Sequence, residues 1–195
     1  SLSEYLNKEF KKKVVTLYNP VRENDNYFEI TNKHEFNIEY SYIGNMGSAQ
    51  NIELIIKSFL KAGIKNSKLN MCGDGNLLNY LSNKYKDKNI IWHGWIDGKK
   101  LNNIFANTDF LIISLNSKGR QGLIIPSKIQ TYFMKQKPIL CISKGACSDL
   151  IQKVGCGLVC EEFDENKVIE LFKKSLDLSV DQRKQMGKNS LEYFK

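Results

Sequence analysis

Between residues 119 and 138 the chain sets two glycines and a cation, Gly119, Arg120 and Gly122, shortly before Pro126, Ser127 and Lys128. Proline suits the first turn of a helix, where its missing N–H would have had no partner anyway. The next amides, near Ser127 and Lys128, would then point outward at the positive end of the helix dipole, with a hydroxyl and an ammonium beside them. A phosphate suits that combination. The same residues also read as an ordinary loop-to-helix junction with a solvated lysine, and alone they do not separate the two readings.

Further glycine turns recur along the chain at 44–47, 73–75, 93–96, 116–126 and 143–146. Each has a plain explanation in a tight turn that needs positive φ. Their number, with Lys128 and Arg120, favours a nucleotide diphosphate site once it is clear that they gather on one edge.

The elements that would gather them follow from periodicity. A tyrosine-rich strand at 38–43 runs into the first glycine turn, and Ser48 is placed to cap a helix over 49–62 that carries Ile52, Ile55, Ile56, Phe59 and Leu60 on one face. Strand 68–72, helix 76–86, strand 90–93 and helix 99–106 follow. Residues 109–114 form a near-continuous apolar strand, as expected when helices cover both sheet faces. After the central helix come strand 138–142, helix 148–153, strand 157–160 and helices 165–176 and 180–193, the last with Ser179 and Gln182 as a capping box. Ahead of all this lie a helical segment in 1–13, a short strand at 14–18 and a polar stretch over 21–37 read as a linker. Regular alternation of this kind predicts an α/β fold with a doubly wound, mostly parallel, Rossmann-like sheet, whose ligands bind at the carboxyl ends of the strands.

Composition narrows the classes. The 195 residues suit one domain with a linker, and 42% hydrophobic and 26% charged residues are those of a soluble globular chain. No apolar run reaches membrane-spanning length, and the opening Ser-Leu-Ser-Glu-Tyr-Leu has neither the basic head nor the apolar middle of a signal peptide. The net charge of +8 fits nucleotides, nucleic acid or an anionic membrane, although Lys and Asn abound throughout, as in a general compositional bias. Nucleic-acid binding would want a continuous basic face with exposed aromatics, whereas Tyr and Phe lie mostly inside periodic elements. The five cysteines include no Cys-x-x-Cys pair; Cys72 and Cys141 read as buried small hydrophobes in a reducing compartment. No metal site is expected, since only His34 and His93 could assist. Asp74 between two glycines is a turn former as readily as a ligand, the acidic residues at 161–165 cap the following helix, and His93 is a base or a hydrogen-bonded strand-end residue. No nucleophile motif is present.

These residues together resemble the carboxyl-terminal, donor-binding domain of a GT-B glycosyltransferase of family 4, and within it the branch of capsule and O-antigen enzymes similar to fucosamine transferases. The resemblance rests on residues 42–51, Cys72-Gly73-Asp74-Gly75, His93-Gly94-Trp95-Ile96, Pro126-Ser127-Lys128 with Lys137-Pro138-Ile139, and Gly155-Cys156-Gly157. It implies transfer of a sugar, retaining its anomeric configuration, from a uridine diphosphate sugar to a hydroxyl acceptor. By resemblance, Gly44, Asn45, Met46 and Gly47 approach the donor phosphates through backbone, with Gly73 beside them. The backbone at Trp95 and Ile96 would hold the base. Pro126, Ser127 and Lys128 would neutralise the departing diphosphate without a metal, Arg120 assisting. Many members carry two glutamates eight residues apart; those places fall on Leu123 and Thr131, and Thr131 is counted among the donor-site positions. Asn45 and Gln50 stand near the usual Arg and Lys of the first glycine loop.

The resemblance further implies that residues 1–37 are an interdomain segment and linker, that 38–195 form the donor domain, and that an acceptor domain of the same polypeptide precedes them. Such a fragment would bind nucleotide without turnover. The expected setting is cytoplasmic, peripheral at an anionic inner membrane, with a lipid-linked or polysaccharide acceptor and no nucleic acid. A non-catalytic nucleotide-binding module of the same fold is the alternative; a sugar epimerase would want more acidic and histidine groups than His93 alone.

Overall fold

The computed structural model describes residues 2–11, 13–14, 38–116 and 122–194. The strand expected at 14–18, the linker at 21–37, Gly119 and Arg120 fall wholly or almost wholly outside those residues. A first helix, α1 (Leu2–Phe10), precedes the alternating part of the chain.

Six strands, β1 (Ile38–Ile43), β2 (Ser67–Cys72), β3 (Ile90–Gly94), β4 (Phe110–Ser114), β5 (Ile139–Ile142) and β6 (Gly157–Cys160), form one sheet in the order β3-β2-β1-β4-β5-β6, every pair parallel. The connecting helices are α2 (Ile52–Ala62), α3 (Leu78–Lys84), α4 (Gly98–Asn107), α5 (Lys128–Met134), α6 (Ala146–Val154), α7 (Glu165–Leu176) and α8 (Val180–Phe194). Two apolar layers follow from the strand alternation. Tyr40, Tyr42, Leu69, Met71, Phe110 and Ile112 pack with α2 and α7, while Leu111, Ile113, Ile139 and Cys141 pack with α4, α5 and α6. Covered on both sides, β4 is buried along its whole length. The Tyr40 ring stacks 5.5 Å from Phe110, and its hydroxyl meets the Ser175 hydroxyl of α7 at 2.7 Å.

The chain departs from the expected boundaries where the local backbone turns away from the helix. Residues 48–50 form a single 3-10 turn, Asn51 takes the left-handed region at φ 47°, and α2 starts only at Ile52. Ser48 therefore does not cap α2. Asparagine tolerates that conformation better than other non-glycine residues. The expected helix at 76–86 is shortened to α3 because the Leu77 amide turns to the Met46 carbonyl, 3.1 Å away. The acidic cluster caps α7 as anticipated: Asp164 accepts from the amides of Asn166 and Lys167 at 2.9 and 3.1 Å. Ser179 and Gln182 form both bonds of their capping box. All five cysteines are buried and free.

Candidate functional site at the carboxyl edge of the sheet

The strand order reverses between β1 and β4, and a parallel sheet leaves a crevice at such a point, outside the carboxyl ends. Tyr132 of α5 straddles it. Its hydroxyl accepts the Ile43 N–H at 3.2 Å and lies 3.1 and 3.4 Å from the carbonyl oxygens of Ile43, the last residue of β1, and Ile112, in the middle of β4.

On the β1 side the edge is made of main chain. A Cβ on Gly73 would fall 2.0 Å from the Gly44 carbonyl oxygen, and one on Gly75 would fall 2.6 Å from that of Met46. Both glycines also hold φ values, 127° and 150°, that side chains disfavour. The Gly73 N–H donates to the Gly94 carbonyl at 2.7 Å, so the turns after β1, β2 and β3 are laced in sequence. Asp74 accepts the Gly75 N–H at 2.7 Å and acts as a turn former.

Most backbone donors of the first glycine turn already have partners. Gly44 donates to Cys72 at 2.9 Å, Met46 to Asp74 at 2.7 Å, and Gly47 to the Gln50 side-chain oxygen at 3.1 Å. Met46 is fully buried in the core and anchors the turn. Among the described residues the Asn45 N–H has no partner, and the exposed Asn45 side chain approaches Gln50 at 3.5 Å. Its carbonyl accepts the Tyr42 hydroxyl at 2.6 Å.

Across the crevice stands Lys128, the first residue of α5. Its Nζ is buried, has no hydrogen-bond partner among the described residues, and lies 4.3 Å from the centre of the Tyr42 ring. A Cβ on Gly44 would fall 2.6 Å from it. Burial pushes the ammonium down to about 8, with the Cys147 thiol acting in the opposite sense. Burial also raises the hydroxyls of Tyr42 and Tyr132, so both remain protonated. The Ser114 hydroxyl, at the end of β4, is a second buried polar atom without a partner on this edge.

The remaining candidates sit around this centre. Ser127 is exposed and makes no capping bond to α5, while the Pro126 carbonyl accepts the Ile129 N–H at 3.0 Å. Thr131 is half-buried one turn into α5. Gly122 touches the turn after β5, where a Cβ on Gly145 would fall 2.4 Å from its carbonyl oxygen. Trp95, 72% exposed, and half-buried Ile96 follow β3 on the same edge. His93 is half-buried and bonded through Nε2 to Asn70 Oδ1 at 2.9 Å; Asn70 in turn donates to Glu39 at 3.1 Å. Among the described residues no three His, Cys, Asp or Glu side chains form a metal-binding group.

Direct contact thus joins Gly44 to Lys128 and to Gly73, and Trp95 and Ile96 connect to them only through backbone. Tyr42 and Tyr132 were not singled out as site residues from the sequence. Their one signal is a phenol at a position where the pattern calls for a buried aliphatic residue, since a buried hydroxyl needs a partner.

The sequence pattern of the family described as Glycosyl transferases group 1 matches residues 23–193. The chain belongs to that family. Within reach of this group 1 domain is an uncharacterized 41.2 kDa protein in the cps region of Klebsiella pneumoniae, 21% identical over 169 residues, which are 83% of this chain and 45% of that protein. Among solved structures, Anabaena HepE in complex with UDP superposes with a TM-score of 0.66 at 10% identity, over 81% of this chain and 44% of HepE. The C-terminal domain of LpcC, a glycosyl transferase group 1 family protein from Francisella tularensis, gives 0.62 at 15% identity, over 80% of this chain and 83% of that domain. At those identities the likeness is one of fold. The group 1 domain spans less than half of the Klebsiella protein and of HepE.

Proposed function

We propose that this group 1 domain binds a nucleoside diphosphate sugar, a UDP-sugar, as the donor half of a glycosyltransferase that acts on a hydroxyl acceptor. The observation that carries the reading is Lys128: a buried ammonium at the switch point, without a hydrogen-bond partner among the described residues, under the glycine turn 44–47. An unpaired buried donor is costly, by about 1–3 kcal/mol, and an anion at this edge would relieve it. HepE, of the same fold, is described in complex with UDP, which supports the choice of nucleotide.

On this reading the diphosphate lies over residues 44–47 with Gly73 behind them, the base lies towards Trp95 and Ile96, and Pro126, Ser127 and Thr131 border the phosphate and ribose. Lys128 is covered, so it acts on the diphosphate from its place beneath the Gly44 turn. It then stabilises the charge that grows on the leaving group as the sugar departs, with Arg120 as a second cation and no metal required. Residues 38–195 are the donor domain, and the acceptor hydroxyl and its base come from another domain of the polypeptide. The acceptor class is a lipid-linked or polysaccharide sugar of a capsule or O-antigen pathway, in the fucosamine-transferase-like branch, with retention, at the cytoplasmic face of the membrane. The cps-region relative favours that setting.

Calorimetric titration with UDP tests the reading. Binding is expected for the wild type and at least tenfold weaker binding for Lys128→Ala. Equal affinity in the two proteins would remove the diphosphate from this site. A second reading, a nucleotide-binding module without transfer activity, is favoured by Leu123 and Thr131 standing where many members carry carboxylates; absence of transfer by a two-domain protein that binds UDP would select it.

A further inference from the structure

Lys128 and Tyr42 belong to opposite apolar layers of the sheet. Tyr42 packs in the layer with α2 and α7, whereas α5 packs in the other through Ile129, Tyr132 and Phe133. The lysine stem therefore reaches over the carboxyl edge to bring its ammonium 4.3 Å from the Tyr42 ring centre. Among the described residues no oxygen receives it, and its other close neighbour is the bare Cα side of Gly44. The ring face attracts a cation, and does so most strongly when the cation is desolvated. The opposite end of the same side chain is engaged too, its hydroxyl donating to the Asn45 carbonyl at 2.6 Å.

We propose that Tyr42 is the positioning residue of the donor site, its ring face holding the Lys128 ammonium beneath the Gly44 turn. The inference rests on the donor-site reading for its consequence in binding, but the Lys128–Tyr42 relationship stands without any ligand. One buried side chain thereby links a cation from α5 to the main chain of the β1 turn. The titratable groups facing the ammonium are Tyr42 of β1 and Cys147 of α6, and neither is a carboxylate that could replace the ring. An aliphatic side chain in its place would leave Lys128 without an attractive neighbour, and the stem would swing to solvent.

The experiment has two arms on wild type, Tyr42→Phe and Tyr42→Leu, with Tyr42→Met as a larger aliphatic replacement if the leucine variant does not fold. In the first, without nucleotide, acylation of Lys128 by an N-hydroxysuccinimide ester is followed by peptide mass spectrometry, the exposed lysines serving as internal references. Lys128 is expected to stay protected in wild type and Tyr42→Phe and to react at least fivefold faster in the aliphatic variant. Exposure of Lys128 in Tyr42→Phe, or continued protection in the aliphatic variant, overturns the proposal. In the second arm UDP affinity is measured in the same proteins and in the Lys128→Met background. Tyr42→Phe should bind within about threefold of wild type and the aliphatic variant at least tenfold more weakly, and that loss should vanish once Lys128 is methionine. Additive losses would likewise overturn it. If wild type does not bind UDP, the donor reading fails while the acylation arm still decides what Tyr42 holds.

Discussion

The Lys128 ammonium occupies the space that a side chain on Gly44 would fill, with an ideal Cβ there only 2.6 Å from Nζ. Gly44→Ala therefore displaces the far end of a flexible side chain and strains a backbone at φ 142°. The expected outcome is a folded protein, about 1–2 kcal/mol less stable, whose Lys128 is exposed. Thermal unfolding together with acylation at Lys128 checks it; a protected lysine would contradict the steric argument.

Replacing Lys128 by methionine should stabilise the protein. The ammonium is buried without a partner, and the ring returns only part of the desolvation. A gain of about 1 kcal/mol at pH 7, or about 2–4 °C in Tm, is expected together with weaker UDP binding. A lower Tm in Lys128→Met would mean that the ring interaction outweighs the burial.

The same group gives a pH dependence. With Lys128 held down to about 8 in the folded state, against an ordinary lysine value of about 10.4, the unfolded chain binds the extra proton between these values. The penalty is thus fully present below about pH 8 and is relieved as the pH rises through the interval. UDP affinity should fall over the same range, because the anion needs the charged form. In Lys128→Met both effects disappear, which paired titrations at pH 7 and 9 would reveal.

His93 acts in the same direction but in a more acidic window. Burial holds its imidazole below the ordinary histidine value, so the unfolded chain protonates first as the pH falls below about 6.5. Stability should decline on acidification, and the decline should be shallower in His93→Gln, which keeps a donor for Asn70. Equal Tm slopes between pH 7 and 5 in the two proteins would exclude this contribution.

Much of the architecture was legible in the sequence. Strand and helix alternate with helix-period and all-apolar patterns, and local chemistry such as Asp164 before α7 marks its own boundaries. Those signals act within a few residues. The left-handed Asn51 that delays α2 was not visible, because an asparagine after Gln50 fits a helix as well as a break. The state of Lys128 was also out of reach: its expected place was an outward-facing first turn, and its burial depends on β1, more than eighty residues earlier in the chain. Met46 shows the same limit. It lies in a glycine turn, and nothing local foretells that its side chain is buried in the core or that its amide and carbonyl bond residues 74 and 77.

The laced turns at Gly44, Gly73 and Gly94 carry a consequence for how such a domain diverges. At Gly73 and Gly75 main chain packs on main chain with no room for a Cβ, so the shape of the ledge is encoded by positions that must stay glycine. Drift elsewhere in the sequence leaves that ledge intact, and differences among such domains fall to the exposed side chains beside it, such as Asn45, Asp74 and Trp95.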